Sequence, residues 1–255
     1  PRTCGPFAHE SGCRGWETPF RRPSRRTDVN ADDGAEDDGL AQRELVRRGY
    51  DELADTYAAE REGQENRVLL DRLRDDAPPG QVLDAGCGDG ESVLDALTDE
   101  RPVAGLDFSW AQANRANGVA PGRVVQGDMT ALPFAADTFA AVTAFYSIIH
   151  VPAAETPAVY EEFARVLRPG GVALVTTGTA DWAGRNDDWL AGGAPMEWDI
   201  LGLERSAELL NAAGFEVYET VGVVDGLGDD ETASRLVDAD SENADKLFIY
   251  ARLED

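Results

Sequence analysis

A glycine-rich stretch that follows a short apolar run could hold a ligand against the main chain. It reads VLDAGCGDG at residues 82–90, and its glycines leave no side chain between backbone and ligand. The spacing differs from the G-x-G-x-x-G pattern of dinucleotide binders, because Glu91 stands where the third glycine belongs. Asp84, two residues before Gly86, would repel a diphosphate. The stretch therefore favours a ligand that carries a cationic amino group and no phosphate.

Two further carboxylates extend this candidate site. Asp107 ends the next apolar run, 21 residues after Gly86, close to the interval at which an acid accepts hydrogen bonds from ribose hydroxyls. Asp128 lies in GDMTALPF after the following run, where a carboxylate can accept from an adenine amino group while the Met129 backbone meets the ring. With Asp84, these acids favour a positively charged adenosyl compound. S-adenosylmethionine is such a compound, because it has an ammonium, a sulfonium and no phosphate.

Buried strands must position these acids. From residue 40 onward, short apolar runs alternate with stretches of helical periodicity, a pattern typical of a parallel sheet covered on both faces. The fold class predicted is α/β: a Rossmann-like, doubly wound, seven-stranded and mostly parallel sheet with helices on both faces. Only a polar linker separates the last two runs, EVYETVGVV and KLFIYARLE, which predicts an antiparallel edge strand. In such a sheet, ligands bind at the carboxyl ends of the strands.

The chain divides by composition into a tail and one domain. Residues 1–39 include an arginine cluster at 21–27 and an acidic run at 28–39 that has almost no large apolar residues, so we expect a disordered tail. Residues 40–255 form the predicted domain: an N-terminal helical cover (40–79) whose first helix breaks at Gly49, a core (80–178), a lid-like insertion (179–203) and C-terminal strands with a helix (204–255). A helix is also expected over GESVLDALTDE, residues 90–100.

The charge balance restricts the partners. The formal net charge is −26, with 49 acidic residues against 23 basic ones, and this field repels nucleic acid and anionic membranes. Adaptation to high salt explains such a surface without reference to a substrate. The sequence has no run of apolar residues long enough for a membrane helix and no signal-peptide pattern, so a cytoplasmic location is expected. The spacing of Cys4, His9 and Cys13 fits no zinc pattern, and no metal is predicted.

Several motifs resemble those of the class I S-adenosylmethionine-dependent methyltransferases over roughly residues 45–253. The glycine turn, the acid at 107 and the Gly-Asp pair at 127–128 match the first three, LPFAADTFAAVTAFYSIIHV is similar to the fourth, and FARVLRPGGVALV is similar to the turn before the fifth strand. The usual FDAV reads FAAV at 139–142, which removes an acid but keeps the strand. The resemblance implies a methyl transfer from S-adenosyl-L-methionine, and the residues implied to bind this cofactor are Tyr57, Asp84, Gly86, Cys87, Gly88, Asp107, Phe108, Asp128 and Met129.

The acceptor side of the site is less defined by the sequence. Tyr146 and His150 follow the fourth strand and are candidates for a base that takes a proton from the acceptor, although His150 could equally have a structural role. The segment 179–203 holds Trp182, Met196 and Trp198 among glycines, a composition suited to a lid that contacts the substrate, or to a hydrophobic cluster under a long loop.

These observations favour a small-molecule acceptor. The region after the fourth strand lacks the Asn/Asp-Pro-Pro-aromatic signature of enzymes that methylate base amines, and it has no cysteine nucleophile for cytosine. A non-catalytic, cofactor-binding or regulatory member of the same fold is the main alternative. A nicotinamide-dependent oxidoreductase is disfavoured by Glu91 and Asp84. The acceptor atom and the oligomeric state stay open.

Overall fold

The computed structural model of this chain describes residues 35–61, 67–224, 235–241, 244 and 246–254. The tail predicted over 1–39 lies mostly outside these residues, as do Cys4, His9 and Cys13. The first helix nevertheless begins at Ala35, five residues before the expected start of the domain. The helices are α1 (Ala35–Arg61), α2 (Arg67–Asp76), α3 (Leu94–Leu97), α4 (Trp110–Val119), α5 (Thr156–Val166) and α6 (Leu203–Ala212), with one 3₁₀ turn at Ile148–His150.

Ten strands are described, eight of them in one sheet. They are β1 (Val82–Ala85), β2 (Val103–Asp107), β3 (Val124–Gln126), β4 (Phe139–Ala144), β5 (Leu167–Thr177), β6 (Trp182–Trp189), β7 (Ala194–Ile200), β8 (Phe215–Val224), β9 (Arg235–Asp238) and β10 (Lys246–Leu253). The large sheet has the order β3-β2-β1-β4-β5-β10-β8-β9, and its first five strands are parallel. The strand order reverses between β1 and β4, which is where a doubly wound sheet opens a ligand crevice.

The predicted doubly wound sheet is confirmed, and its far edge differs from the prediction. Strand β10 runs antiparallel to both of its neighbours, but it lies between β5 and β8 and is not the edge. The edge is β9, a short strand inside the segment predicted to be a polar linker, and it raises the strand count from seven to eight. Strand β9 pairs antiparallel with β8, and its Leu236 packs against the apolar cluster on one face of the sheet.

Helices cover both faces of the sheet because successive strand side chains point to opposite sides. On one face Leu83, Val142 and Ala173 pack with α5 and α6, and on the other face Val82 and Ala141 pack with α2, α3 and α4. Strands β1, β2 and β4 are buried along their whole length, as expected for central parallel strands. The helix predicted over 90–100 is reduced to α3, since a turn that starts at Gly90 (φ +87°) occupies the preceding residues.

A third apolar cluster joins α1 to a β-hairpin, and here one prediction was wrong. The insertion at 179–203, predicted to be lid-like, contains the antiparallel pair β6 and β7, and its aromatic residues belong to this cluster, as the alternative prediction had it. Helix α1 does not break at Gly49. A Cβ at that position would lie 2.7 Å from the carbonyl oxygen of Pro195 and 3.0 Å from Cε of Met196. The glycine therefore allows the hairpin to approach the helix closely, and the helix continues through it.

Candidate functional site

A cavity of about 1020 Å³, partly open to solvent, lies between α1 and the carboxyl ends of β1, β2, β3 and β4. All nine residues predicted to bind the cofactor line it, together with Tyr146 and His150. The predicted site residues are therefore brought together by the fold, because the carboxyl ends of parallel strands meet at one edge of the sheet.

The glycine turn after β1 forms one wall of the cavity. The backbone N–H groups of Gly86 and Cys87 both donate to the carbonyl oxygen of Leu106, which ties the turn to β2. Gly86 has φ +80°, and a Cβ there would lie 2.2 Å from Cβ of Ser147. Gly88 has φ +55°, and a Cβ there would meet no heavy atom within 4 Å, so its free side is open cavity. Gly86 thus serves the packing of the turn, and Gly88 leaves room for a ligand.

Two buried carboxylates face this turn. Asp84 accepts a hydrogen bond from Oγ1 of Thr143 at 2.7 Å, and Asp107 accepts from the N–H groups of Gly88 and Ser109 at 2.8 and 2.9 Å. Burial raises the pKa of Asp84 to about 7 and that of Asp107 to about 6, although the hydrogen bonds that these groups accept lower it. Within the described part of the chain, neither carboxylate makes an ion pair. The site therefore holds acidic groups without a cation to match them.

The third predicted acid, Asp128, is already engaged by protein groups. One of its oxygens accepts from the N–H and the hydroxyl of Thr130 at 2.8 and 2.7 Å, and the other forms an ion pair with Arg43 of α1. The same guanidinium pairs with Glu155 and lies 5.9 Å from the ring centroid of Phe108. The contact of Asp128 with an adenine amino group stays a prediction, and such a contact has to share the carboxylate with Arg43.

The remaining predicted cofactor residues contribute mostly surface. Cys87 is a free, buried thiol whose Sγ lies 3.7 Å from the carbonyl oxygen of Gly88, and burial raises its pKa well above its ordinary value. Met129 and Tyr57 are each 9% exposed. The Tyr57 ring packs against those of Tyr50 and Trp189, with centroids 5.2 and 5.4 Å apart.

Gln112 on α4 lines the cavity and was not singled out from the sequence. Its side chain is 1% exposed, and both its amide nitrogen and its amide oxygen lack a hydrogen-bond partner. A buried amide without partners costs stability. An amide can both donate and accept, which is the pairing that a ribose diol offers. The available signal was a glutamine three residues after Ser109, the N-cap of α4, on a face that otherwise buries Ala113 and Ala116.

Behind the glycine turn, the segment after β4 forms the other end of the cavity. Tyr146 adopts φ +54°, a strained conformation for a residue with a side chain, and its N–H donates to Oγ1 of Thr176 at 3.0 Å. His150 is 8% exposed and hydrogen-bonds at both ring nitrogens, to the Tyr50 hydroxyl and to the Glu197 carbonyl, each at 2.8 Å. Burial lowers the pKa of His150 to about 4.

The three predicted substrate residues do not line the cavity. Trp182, Met196 and Trp198 belong to the hairpin, where Met196 is fully buried and Trp198 is 9% exposed against the α1 cluster. Alternate residues of β7 point toward α1, so the apolar ones are used for packing. Their predicted contact with substrate is not supported by this placement.

A glycine turn, uncompensated buried carboxylates and a covering helix at the switch point of the sheet define a Rossmann-like α/β protein with a nucleoside-type ligand site. Residues 82–171 match the family model described as a methyltransferase domain. Over these residues the chain is similar to the class I S-adenosylmethionine-dependent methyltransferases, and the cofactor of that family is S-adenosyl-L-methionine.

Known proteins similar to this chain agree with that family. A probable S-adenosylmethionine-dependent methyltransferase of Mycolicibacterium smegmatis is 33% identical over 64% of this chain and 62% of its own length. A demethylmenaquinone methyltransferase of Beutenbergia cavernae is 36% identical over 54% of this chain and 57% of its own length. The chain spans about three fifths of each of these relatives. A solved Thermotoga maritima structure, described as an S-adenosylmethionine-dependent methyltransferase and possible histamine N-methyltransferase, superposes with a TM-score of 0.63 at 16% identity, over 82% of this chain and 100% of that chain.

Proposed function

We propose that this protein binds S-adenosyl-L-methionine in the cavity under α1 and transfers its methyl group to a small-molecule acceptor. The observation that carries the proposal is the pair of buried acids, Asp84 and Asp107, which face a glycine turn without a cationic partner among the described residues. A ligand with an ammonium and a sulfonium supplies the missing positive charge. A diphosphate would place further negative charge beside two carboxyl groups whose ionised form is already disfavoured by burial.

The residues present fit this cofactor. A ligand would give the side-chain amide of Gln112 the hydrogen-bond partners that it lacks. The same ligand would fill the open space beside Gly88. In this proposal the turn at Gly86–Gly88 and Asp84 hold the methionine part, while Asp107 and Gln112 hold the ribose. When bound, the cofactor supplies a methyl group on a positively charged sulfur. The chain has to orient the acceptor and exclude water, and orientation alone contributes roughly 7–11 kcal/mol in such reactions.

A small acceptor is supported by the enclosure and the charge of the site. Helix α1 and the segment after β4 both line the cavity, which encloses part of it. Most arginines of the described surface are paired with acids, as Arg47 is with Glu44 and Asp51, so they offer little free positive charge to a phosphate backbone. None of the described helices is long and apolar enough to cross a membrane. The Beutenbergia relative is named for a quinone acceptor, which is also a small molecule.

Calorimetric titration with S-adenosylhomocysteine, at low and at multimolar salt, tests cofactor binding. Methyl transfer from radiolabelled S-adenosylmethionine is then compared across small phenols, amines and quinols, with tRNA and a protein mixture as the competing acceptors. Binding together with transfer to a small molecule supports the proposal. A folded protein that does not bind S-adenosylhomocysteine at either salt concentration refutes it, and transfer to tRNA or protein alone refutes the small-molecule part.

The variant Gln112→Leu separates a ligand contact from packing. Because the amide is buried without partners, its replacement should leave the free energy of unfolding unchanged or raise it in the absence of ligand. Loss of a hydrogen bond to the ligand should weaken S-adenosylhomocysteine binding about two- to tenfold. Unchanged affinity would show that Gln112 does not contact the cofactor.

A further inference from the structure

The tautomer of His150 is set by the fold. Its Nδ1 lies 2.8 Å from the carbonyl oxygen of Glu197 on β7, and a carbonyl oxygen can only accept, so Nδ1 carries the proton and donates. The lone pair of a neutral ring is then on Nε2. That atom lies 2.8 Å from the hydroxyl of Tyr50 on α1, which donates to it. His150 therefore presents a proton-accepting nitrogen whose hydrogen-bond partner is the Tyr50 hydroxyl.

The surroundings keep this pair in place and keep the histidine neutral. The Tyr50 ring makes edge contacts with the rings of His150, Tyr57 and Trp189 at centroid distances of 5.2–5.6 Å. The His150 ring lies 5.7 Å from that of Trp198 on its other side. Burial lowers the pKa of His150 to about 4, so the ring is uncharged at neutral pH. Aromatic packing of this kind holds a donor and an acceptor in one geometry.

The pair lies at the β4 end of the cavity. Tyr50 and His150 both line the cavity, at the carboxyl end of β4, which is next to β1 in the sheet. The hydroxyl of Ser147 donates to the carbonyl oxygen of Ala85 at 2.8 Å, so the segment after β4 is tied to the glycine turn. The ribose acid Asp107 is on the opposite side of β1, at the end of β2. In the proposed function Asp107 would hold the ribose on that side and Asp84 on β1 would hold the methionine part, so the β4 end of the cavity would be left for the acceptor.

We propose that Tyr50 and His150 form a proton relay in which Tyr50 faces the acceptor and His150 receives the proton through it. The inference rests on the proposed function and names the chemical class of acceptor: a small molecule with a hydroxyl or N–H group. The acceptor proton passes to Oη of Tyr50 as the phenolic proton of Tyr50 passes to Nε2 of His150. A lone pair of the acceptor oxygen or nitrogen forms the new bond to the methyl carbon, the pair of the broken O–H or N–H bond stays on that atom, and the pair of the methyl–sulfur bond leaves with sulfur.

This step conserves charge inside the cavity. One positive charge is lost when the sulfonium becomes a thioether, and one is gained when His150 becomes an imidazolium, whose Nδ1–H continues to donate to the Glu197 carbonyl. A buried neutral histidine is a weak base toward water. His150 is a stronger base in this step, because the imidazolium forms as the buried sulfonium loses its charge and no additional charge has to be desolvated. The imidazolium returns its proton to water after the product leaves.

The pair itself can be tested without any turnover. The chain has two histidines, so the variant His9→Ala, labelled with ¹⁵N-histidine, gives the ring signals of His150 alone. We expect the tautomer protonated at Nδ1, and in Tyr50→Phe a shift of the Nε2 resonance toward the value of a nitrogen that accepts no hydrogen bond. Affinity for S-adenosylhomocysteine should stay within about twofold. A ring protonated at Nε2, or an Nε2 resonance that Tyr50→Phe leaves unchanged, would overturn the assignment.

Kinetics with the acceptor identified by the panel test the relay. Tyr50→Phe and His150→Gln should each lower kcat about 10²- to 10⁴-fold with little change in KM, and the double variant should be no worse than either single one. Tyr218→Phe is the matched control. It removes a tyrosine hydroxyl that does not line the cavity and that donates to Asp76 over 3.0 Å, so kcat should not change.

The outcomes separate the relay from the proposed function. If the wild-type protein methylates an acceptor and Tyr50→Phe keeps kcat within threefold of it, the relay is wrong, whatever His150→Gln does. If the two single variants lower kcat by independent factors that multiply in the double variant, the residues do not act as one unit and the relay is also wrong. A wild-type protein that does not bind S-adenosylhomocysteine refutes the proposed function itself, while the NMR result still decides whether the pair exists.

Discussion

Gly88→Ala is the substitution that tests most directly whether the space beside the glycine turn is a ligand site. Gly88 has φ +55°, its N–H donates to Asp107 at 2.8 Å, and a Cβ built on it has no heavy atom within 4 Å. The added methyl group therefore collides with nothing in the protein. It projects into the cavity that Gly88 lines.

The structure separates two costs for this variant. Holding an L-residue in the left-handed region costs about 1–2 kcal/mol of stability. For a domain of this size, that corresponds to a fall in Tm of roughly 2–8 °C. A ligand packed along the turn meets one extra methyl group, and overpacking of that size costs about 1–3 kcal/mol. The Kd for S-adenosylhomocysteine should therefore rise about 5- to 150-fold.

Gly122→Ala is the matched control. Gly122 lies in the turn between α4 and β3 with φ +72°, and it too has no heavy atom within 4 Å of a built Cβ, but it does not line the cavity. Its variant should show a similar fall in Tm and an unchanged Kd, as measured by thermal denaturation and calorimetric titration. If Gly88→Ala binds S-adenosylhomocysteine as tightly as Gly122→Ala does, the reasoning about the cavity is refuted.

Three further predictions concern the same region. Gly86→Ala should lower the free energy of unfolding by about 1–3 kcal/mol more than Gly88→Ala in chemical denaturation, because its Cβ would lie 2.2 Å from Cβ of Ser147; an equal loss would contradict the packing role. The pKa of Asp84 is raised from 3.8 to about 7, so its contribution to stability is complete below pH 4 and is lost as the pH rises through 7. The Tm of the ligand-free wild type should accordingly fall relative to that of Asp84→Asn between pH 4 and 8, and a constant difference would show that Asp84 is not buried as described. Met196→Ala should cost about 2–5 kcal/mol of unfolding free energy and Met196→Leu less than about 1.5 kcal/mol, whereas loss of acceptor turnover in a stable Met196→Leu would restore a substrate role.

The cofactor side of the site was predictable from local sequence because it depends on a simple rule. Asp84, Asp107 and Asp128 each follow an apolar run, and parallel strands place such positions at one edge. The same rule explains why eight of the nine predicted cofactor residues line one cavity, while Tyr57 reaches it from α1. What the rule did not predict is which partners the carboxylates have. The ion pair of Asp128 with Arg43 joins positions far apart in the chain.

The sequence left the role of the hairpin open. Glycines and aromatic residues over 179–203 suited either a lid or a hydrophobic cluster, and in the structure Ala194, Met196 and Trp198 alternate with more exposed residues along β7. The period of two was present in the sequence. Which surface it would cover was not, because the apolar face of α1 becomes a partner only after the sheet has placed both elements together. A glycine- and aromatic-rich composition that suits a lid therefore also suits a hairpin that packs on α1.

The sequence by itself determined the doubly wound sheet, the glycine turn and the acids at the strand ends, because hydrophobic periodicity and glycine conformation act over a few residues. Tertiary structure alone brought Tyr50 and His150 together at the other end of the cavity. Tyr50 and His150 are 100 residues apart, and the tautomer of the ring depends on a carbonyl of β7 that is 47 residues further on. Hydrogen bonds between elements this distant in the chain form only when packing brings their atoms within about 3 Å, and no local pattern records that distance.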